Sequence, residues 1–257
     1  MPRFFVRPED IHTDAQGAVV ILTGDNARHA TYSLRLAVGD SVTVCDQSHV
    51  YQCTLTHFDG QSVEARILTS SAVDTEPPYR AVLYQALPKG DKLDTVIQKA
   101  VECGVHEIVP FESSRCIVHA KPESEGKKLE RRQRIAEEAA KQSGRGIIPT
   151  VGATVTDFGQ VLRRAALADV ALFCYEGEGT RPMGDILRKD FADVCDQNTG
   201  HRPTVAIVVG SEGGFSPEEA EMARSAGLLL TGLGPRILRT ETAACVVLSC
   251  LSYQFEL

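Results

Sequence analysis

Residues 1–72 alternate apolar and polar positions, which is the pattern of half-buried strands. The alternation predicts strands at Arg3–Val6, Ala18–Leu22, Ser41–Asp46, Tyr51–Leu55 and Ser62–Leu68. A helical stretch, Asp25–Leu36, falls between the second and third and is stopped by Gly39. The run Ser70-Ser-Ala-Val-Asp-Thr-Glu-Pro-Pro78 is polar and ends in two prolines. Proline lacks a backbone donor and disfavours helix in the residue before it, so this run reads as a connector. From Tyr79 the texture changes to continuous apolar runs: Ala81–Ala86, Glu107–Phe111, Val170–Tyr175, Thr204–Val209 and Leu228–Leu233. Such runs suit parallel strands covered on both faces.

Helices alternate with these runs. After Asp91, one face carries Leu93, Val96, Ile97, Ala100 and Val101, and Gly104 ends the pattern. Ser216-Pro-Glu-Glu219 combines an N-cap serine, proline at the first helical position and a glutamate that completes a capping box. Gly227 closes that helix. The order predicts a small β domain over 1–72, a linker over 73–78 and an open α/β domain over 79–257.

Composition adds limits. An apolar fraction of 43% and a charged fraction of 24% are those of an ordinary globular protein. No stretch approaches the roughly 18 apolar residues of a membrane helix, and the amino-terminal residues are charged, so a cytoplasmic protein is expected. The eight cysteines form no Cys-x-x-Cys pair and no Cys/His cluster with zinc spacing. They read as reduced, buried thiols, and no metal is expected. A net charge of −7 argues against indiscriminate nucleic-acid binding. The charge is uneven, however. Residues 1–72 hold five arginines against eight carboxylates, whereas residues 115–146 hold nine lysines and arginines against five glutamates. A basic patch on an acidic protein suits one particular RNA site.

Two loops have the composition of a ligand site at the carboxyl ends of parallel strands. Gly210-Ser-Glu-Gly-Gly-Phe-Ser216 joins the run Thr204–Val209 to the capped helix. It matches neither the phosphate-loop pattern nor Gly-x-Gly-x-x-Gly, and a plain strand-to-helix turn explains its glycines equally well. Leu233-Gly-Pro-Arg-Ile-Leu-Arg-Thr-Glu-Thr242 follows the last strand and sets Arg236, Arg239 and Glu241 at the mouth of an apolar helix.

At these loops, and at Lys89–Gly104 and Glu130–Arg145, the sequence resembles the bacterial 16S rRNA uridine N3-methyltransferases of the SPOUT superfamily. The likeness spans nearly the whole chain, with four segments in the right order behind a short β domain. It implies an α/β domain with a trefoil knot, preceded by a PUA-like β-barrel that helps hold RNA. It also implies S-adenosylmethionine (SAM) as cofactor, gripped at Gly210, Glu212, Gly213 and Gly214 and at Leu233, Gly234, Ile237, Leu238 and Thr242, with Phe173 and Tyr175 as a third wall. The expected RNA contacts are Arg3, Arg28, His29 and Arg35 in the first domain and Arg131, Arg132, Arg134, Arg145 and Arg236 in the second.

Methylation of uridine N3 requires loss of a weakly acidic proton, and a guanidinium beside O2 or O4 stabilises the anion as it forms. Arg239 is the candidate for that role. Glu241 is either a base or a carboxylate that favours a helix N-terminus. Ribose 2′-O methylation on the same scaffold, or a non-catalytic RNA-binding assembly factor, would use the same loops. The run Ala243–Phe255 carries no charge on any face. A helix apolar all round needs cover on every side, and SPOUT proteins pair through this region, so a homodimer is expected.

Overall fold

The computed structural model describes residues 1–15, 17–197, 200 and 202–257. The chain forms two compact units. The first comprises Met1–Glu76 together with Ala140–Ile148; the second comprises Pro77–Ala139 and Pro149–Leu257.

The first unit contains strands β1 (Arg3–Phe5), β2 (Ile11–Asp14), β3 (Gly17–Leu22), β4 (Ser41–Cys45), β5 (His49–Phe58) and β6 (Val63–Ala72), with helix α1 (Gly24–Arg28) after β3. They form one sheet in the order β1-β4-β5-β6-β3-β2, antiparallel except for the β1–β4 pair. Alternate residues point inward, and Phe4, Val20, Leu22, Val42, Val44, Leu55 and Val63 make one buried cluster. All five expected strands are present, with ends moved by a few residues. The largest change is at β6, which runs on to Ala72 because the long β5 offers ladder partners as far as His49↔Ala72. Its polar tail is therefore strand rather than connector. The expected helix Asp25–Leu36 is shorter: α1 passes into a wider turn over His29–Ser33 and stops before Arg35, whose φ is 53°.

Two arginines expected on an RNA-facing surface belong to the interior instead. Arg145 is 4% exposed and ion-pairs with Glu76, whose Oε1 also accepts from the backbone N–H of Gly146 at 3.1 Å and of Ile147 at 3.3 Å. Arg132, in the second unit and 7% exposed, donates to Glu125 at 3.0 Å and to Thr154 at 3.1 Å. Burial raises the Glu125 pKa, but the Thr154 and Arg132 donors outweigh it and hold the carboxyl below its usual range. A buried guanidinium that faces a carboxylate has no charge left for phosphate.

The second unit holds seven parallel strands: β7 (Arg80–Ala86), β8 (Glu107–Phe111), β9 (Thr150–Val151), β10 (Val170–Cys174), β11 (Arg181–Pro182), β12 (Thr204–Val209) and β13 (Leu229–Gly232). Their order is β11-β13-β10-β12-β7-β8-β9. Helices α2 (Lys92–Glu102), α3 (Pro122–Ser143), α4 (Phe158–Ala165), α5 (Met183–Ile186), α6 (Ala192–Gln197), α7 (Pro217–Ser225) and α8 (Thr240–Phe255) connect or follow them. The central strands are apolar on both faces and buried, as continuous apolar runs require. From β7 the chain first builds outward through β8 and β9, then crosses to the other side of β12. The β7–β12 boundary is the switch point where open parallel sheets bind ligands. No described helix is long and apolar enough to cross a membrane.

The helix from Asp91 and the capped helix α7 appear where the sequence places them. Helix α8 begins at Thr240, and its own protomer buries only one face of it, through Ala244, Val247, Leu248 and Leu251.

Removing Glu76 would strand the Arg145 charge in the interior. Glu76→Ala is therefore expected to destabilise the first unit by roughly 3–5 kcal/mol. Arg28→Ala breaks only the exposed pair with Asp25 and should cost less than about 1 kcal/mol. Urea unfolding followed by circular dichroism makes the comparison; equal, small losses would show that the buried pair contributes no more than a surface one.

Candidate active site

Five strand ends, those of β7, β8, β10, β12 and β13, meet at the switch point. Strand β12 ends at Val209, and the loop Gly210–Ser216 turns into α7. Ser216 caps that helix: its Oγ accepts from the Glu219 N–H at 3.2 Å, and Glu219 Oε2 accepts from the Ser216 N–H at 2.9 Å. The other Glu219 oxygen accepts from the N–H of Ser114 at 2.7 Å, so the capping residue also secures the loop after β8. Two further bonds join these loops. Arg115 Nη1 donates to the Gly213 carbonyl at 3.1 Å, and Ser211 Oγ donates to the Arg115 carbonyl at 3.4 Å. A Cβ added at Gly213 would lie 2.9 Å from Arg115 Cβ, so the contact needs glycine.

The loop after β13, Leu233–Arg239, leads into α8. Thr240, the first residue of α8, donates its hydroxyl to the Gly210 carbonyl at 2.6 Å and accepts from Gln85 Nε2 at 2.8 Å. Gln85, fully buried in β7, thus links the ends of β7 and β12 to the start of α8. The end of β10 continues as Tyr175, whose N–H donates to the Thr231 carbonyl at 3.0 Å.

These segments enclose a cleft of about 780 Å³, a size that suits a small-molecule ligand. It collects Tyr175, Gly210, Glu212, Gly213, Gly214, Leu233, Gly234, Ile237, Leu238, Arg236 and Arg239. Gly214 and Gly234 have φ of 62° and 104°, and the space where a Cβ would stand is open at both. Such a floor is backbone, with amides and carbonyls facing whatever occupies the cleft. Ile237 is 83% exposed, an apolar side chain held in solvent at the cleft wall.

Three candidate residues lie elsewhere. Phe173 is fully buried; its ring packs on Phe215 with centroids 4.2 Å apart, so it supports the wall from behind. Thr242 is exposed on α8 outside the cleft, whereas Thr240 lines the cleft and is bonded to the Gly210 carbonyl. Glu241 does not line the cleft either, and its carboxylate faces Lys92 Nζ at 3.8 Å. Lys92 also donates to Glu212 at 2.7 Å, and the Lys89 N–H reaches the same carboxylate at 3.2 Å. Burial pushes the Glu212 pKa up, but these donors prevail and hold it below the usual carboxylate range. Glu212 is therefore a neutralised wall rather than a free base. Burial pushes the thiol of Cys174, also on the wall, up to about 12, which keeps it protonated and unreactive.

Sequence reasoning missed Gln85, Lys92, Arg115 and Thr240. Lys92 lies inside the motif Lys89-Gly-Asp-Lys92, which was legible as a motif but not as part of a cleft. Arg115 sits in an irregular loop with no periodic signal.

The expected RNA contacts are dispersed. In the first unit Arg28 is exposed but paired with Asp25, and His29 packs edge-on against Phe4. Arg3 donates to Cys45 Sγ at 3.1 Å and to the Arg145 carbonyl at 2.9 Å, while Arg35 is exposed. On α3, Arg131 is exposed and pairs with Asp94, and Arg134 is exposed.

Comparison with known proteins agrees with this geometry. Residues 75–252 match the model of the RNA methyltransferase domain, and residues 22–68 match the RNA methyltransferase PUA domain. Ribosomal RNA small subunit methyltransferase E of Bacillus subtilis is 35% identical over 237 residues, covering 92% of this chain and 90% of that protein. The Mycobacterium tuberculosis protein of the same name is 29% identical, covering 91% and 86%. A crystal structure of ribosomal RNA small subunit methyltransferase E from Neisseria gonorrhoeae bound to S-adenosyl methionine superposes with a TM-score of 0.80 at 28% identity, covering 99% of this chain and 98% of that one. With a PUA domain ahead of a parallel α/β unit whose glycine loops form the cleft, the chain belongs to the ribosomal RNA small subunit methyltransferase E family.

Proposed function

We propose that this protein is a SAM-dependent methyltransferase that modifies N3 of a specific uridine in 16S rRNA of the small ribosomal subunit. The observation that carries the reading is the cleft itself: a glycine floor open at Gly214 and Gly234, with Arg236 and Arg239 on its wall. Backbone groups and the neutral Cys174 thiol suit a zwitterionic nucleoside cofactor without a metal. SAM supplies an electrophilic methyl group on sulfonium, which leaves as a neutral thioether.

The residues of the chain hold the base and stabilise its anion. Arg239 lies just before α8, lines the cleft and has no carboxylate within ion-pair distance among the described residues. It stabilises negative charge on O2 or O4 as N3 gives up its proton to solvent water, and the N3 lone pair then takes the methyl group from the sulfonium. Glu241 sits in the first turn of α8 facing Lys92 at 3.8 Å, and this position supports a role at the helix start over proton abstraction. The exposed Arg134 and Arg35 remain for RNA phosphates, and the PUA domain contributes to RNA contact.

The uncovered side of α8 supports a homodimer, working in the cytoplasm. Thr242, Val246, Ser249 and Tyr253 recur at helical spacing along that side, and Tyr253 is 76% exposed. Leu248 lies on the opposite side, in the protomer's own core.

Nucleosides from 16S rRNA of a strain lacking the protein should contain less N3-methyluridine by one residue per subunit. The wild-type gene should restore it, and one encoding Arg239→Ala should not. Loss of a ribose 2′-O-methyl group instead would reassign the target atom. Gly234→Ala places a methyl group in the cleft at a positive φ, and SAM affinity measured by calorimetry is expected to fall at least about tenfold. Val246→Glu should yield folded monomers by light scattering at micromolar concentration, without transferase activity; an active monomer would remove the dimer from the mechanism.

A further inference from the structure

Most arginines of the second unit are occupied. Arg131, Arg132, Arg163, Arg164, Arg181, Arg188 and Arg224 each reach a carboxylate within 4.0 Å. Three that line the cleft have no carboxylate within 4.0 Å among the described residues: Arg236, Arg239 and Arg115, the last of which acts on the Glu218 carboxylate only at longer range. Arg115 comes from a different part of the chain than the other two, the loop after β8.

Three features separate Arg115 from a solvated surface charge. Its loop is rigid: the Cys116 N–H donates to the Ser113 carbonyl at 3.0 Å, and Glu219 Oε1 fixes Ser114 at 2.7 Å. The guanidinium is oriented by a single bond, Nη1 to the Gly213 carbonyl at 3.1 Å, which leaves its remaining donors open. It is also exposed while lining the cleft, so it stands at the rim and not in the floor. A protein of net charge −7 meets a polyanion only where cations are left uncompensated.

We propose that Arg115 is a phosphate clamp that holds a backbone phosphate of the RNA beside the target base at the mouth of the cleft. The inference rests on the function proposed above. Arg115 is a substrate-positioning residue whose partner is an oxyanion. The cofactor's carboxylate presents similar chemistry, but the exposed rim position favours the polymeric substrate. Its anchor, the Gly213 carbonyl, belongs to the cofactor-side glycine loop, so the clamp sets the RNA in register with that loop.

The test is single-turnover methyl transfer from radiolabelled SAM to small subunits prepared from a strain lacking the protein. Arg115→Gln should raise the half-saturating subunit concentration about tenfold, as loss of one charge-assisted contact implies. The log–log salt dependence of subunit binding should lose about one unit of slope. Arg115→Lys, which keeps the point charge, should recover most of that slope, and SAM affinity by calorimetry should stay within about twofold for both variants. Unchanged subunit affinity and salt slope in Arg115→Gln would overturn the clamp, as would weakened SAM binding, which would place the guanidinium on the cofactor. Absence of transfer by the wild type would overturn the proposed function and this inference with it. Normal wild-type transfer with an unaltered variant would overturn this inference alone.

Discussion

The site depends on a single hydroxyl. Thr240 donates to the Gly210 carbonyl and accepts from Gln85, in a place from which water is excluded. Through it the ends of β7 and β12 and the start of α8 share one hydrogen-bonded node. Gln85 Oε1 itself has no partner among the described residues, and a shift in any of the three segments would strand further buried donors or acceptors. Both glycine loops depart from segments fixed by this node. Their positive-φ residues can therefore be precise without being tightly packed on the side facing the cleft.

A second layer fixes what surrounds the loops. Glu219 serves at once as the capping residue of α7 and as acceptor for Ser114, so one carboxylate joins the loop after β12 to the loop after β8. Phe215, within the glycine loop, packs on Phe173, Phe111 and Phe158 and anchors the loop from below. The cleft is thus built from backbone that has little freedom, which is what a ligand held chiefly by main-chain groups demands. Charge is handled separately. Lys92 pairs closely with Glu212 and more distantly with Glu241, while Arg115, Arg236 and Arg239 share the cleft wall with Glu176.

Much of this was legible in the sequence wherever the cause is local. The serine cap, proline and glutamate of α7 are a self-contained chemical unit, and the structure reproduces it bond for bond. Continuous apolar runs marked the central strands because burial on both faces leaves no room for alternation. The glycine loops were visible because a positive φ selects the residue type. Long-range causes left no such mark. That Arg132 and Arg145 turn inward depends on Glu125 and Glu76, and neither partner is recognisable from helix periodicity. Helices α5 and α6 join around a wider turn, with Met183, Ile186, Leu187 and Phe191 inward, and their short apolar stripe is broken by charges. Arg115 sits in an irregular loop, where nothing but tertiary contact gives a residue its position.

The pairing of Glu76 with Arg145 constrains the order in which the protein can be made. The two residues are 69 positions apart, and the compact unit to which both belong takes in Ala140–Ile148 as well as the first 76 residues. A ribosome synthesising this chain releases all six strands of the first sheet long before Arg145 emerges. During that interval Glu76 has no guanidinium opposite it, and the N–H groups of Gly146 and Ile147 that it also binds do not yet exist. The leading sheet therefore cannot reach its final state as an early, independent product of translation. Its completion waits for a returning segment, and vectorial folding of this enzyme is interleaved rather than sequential.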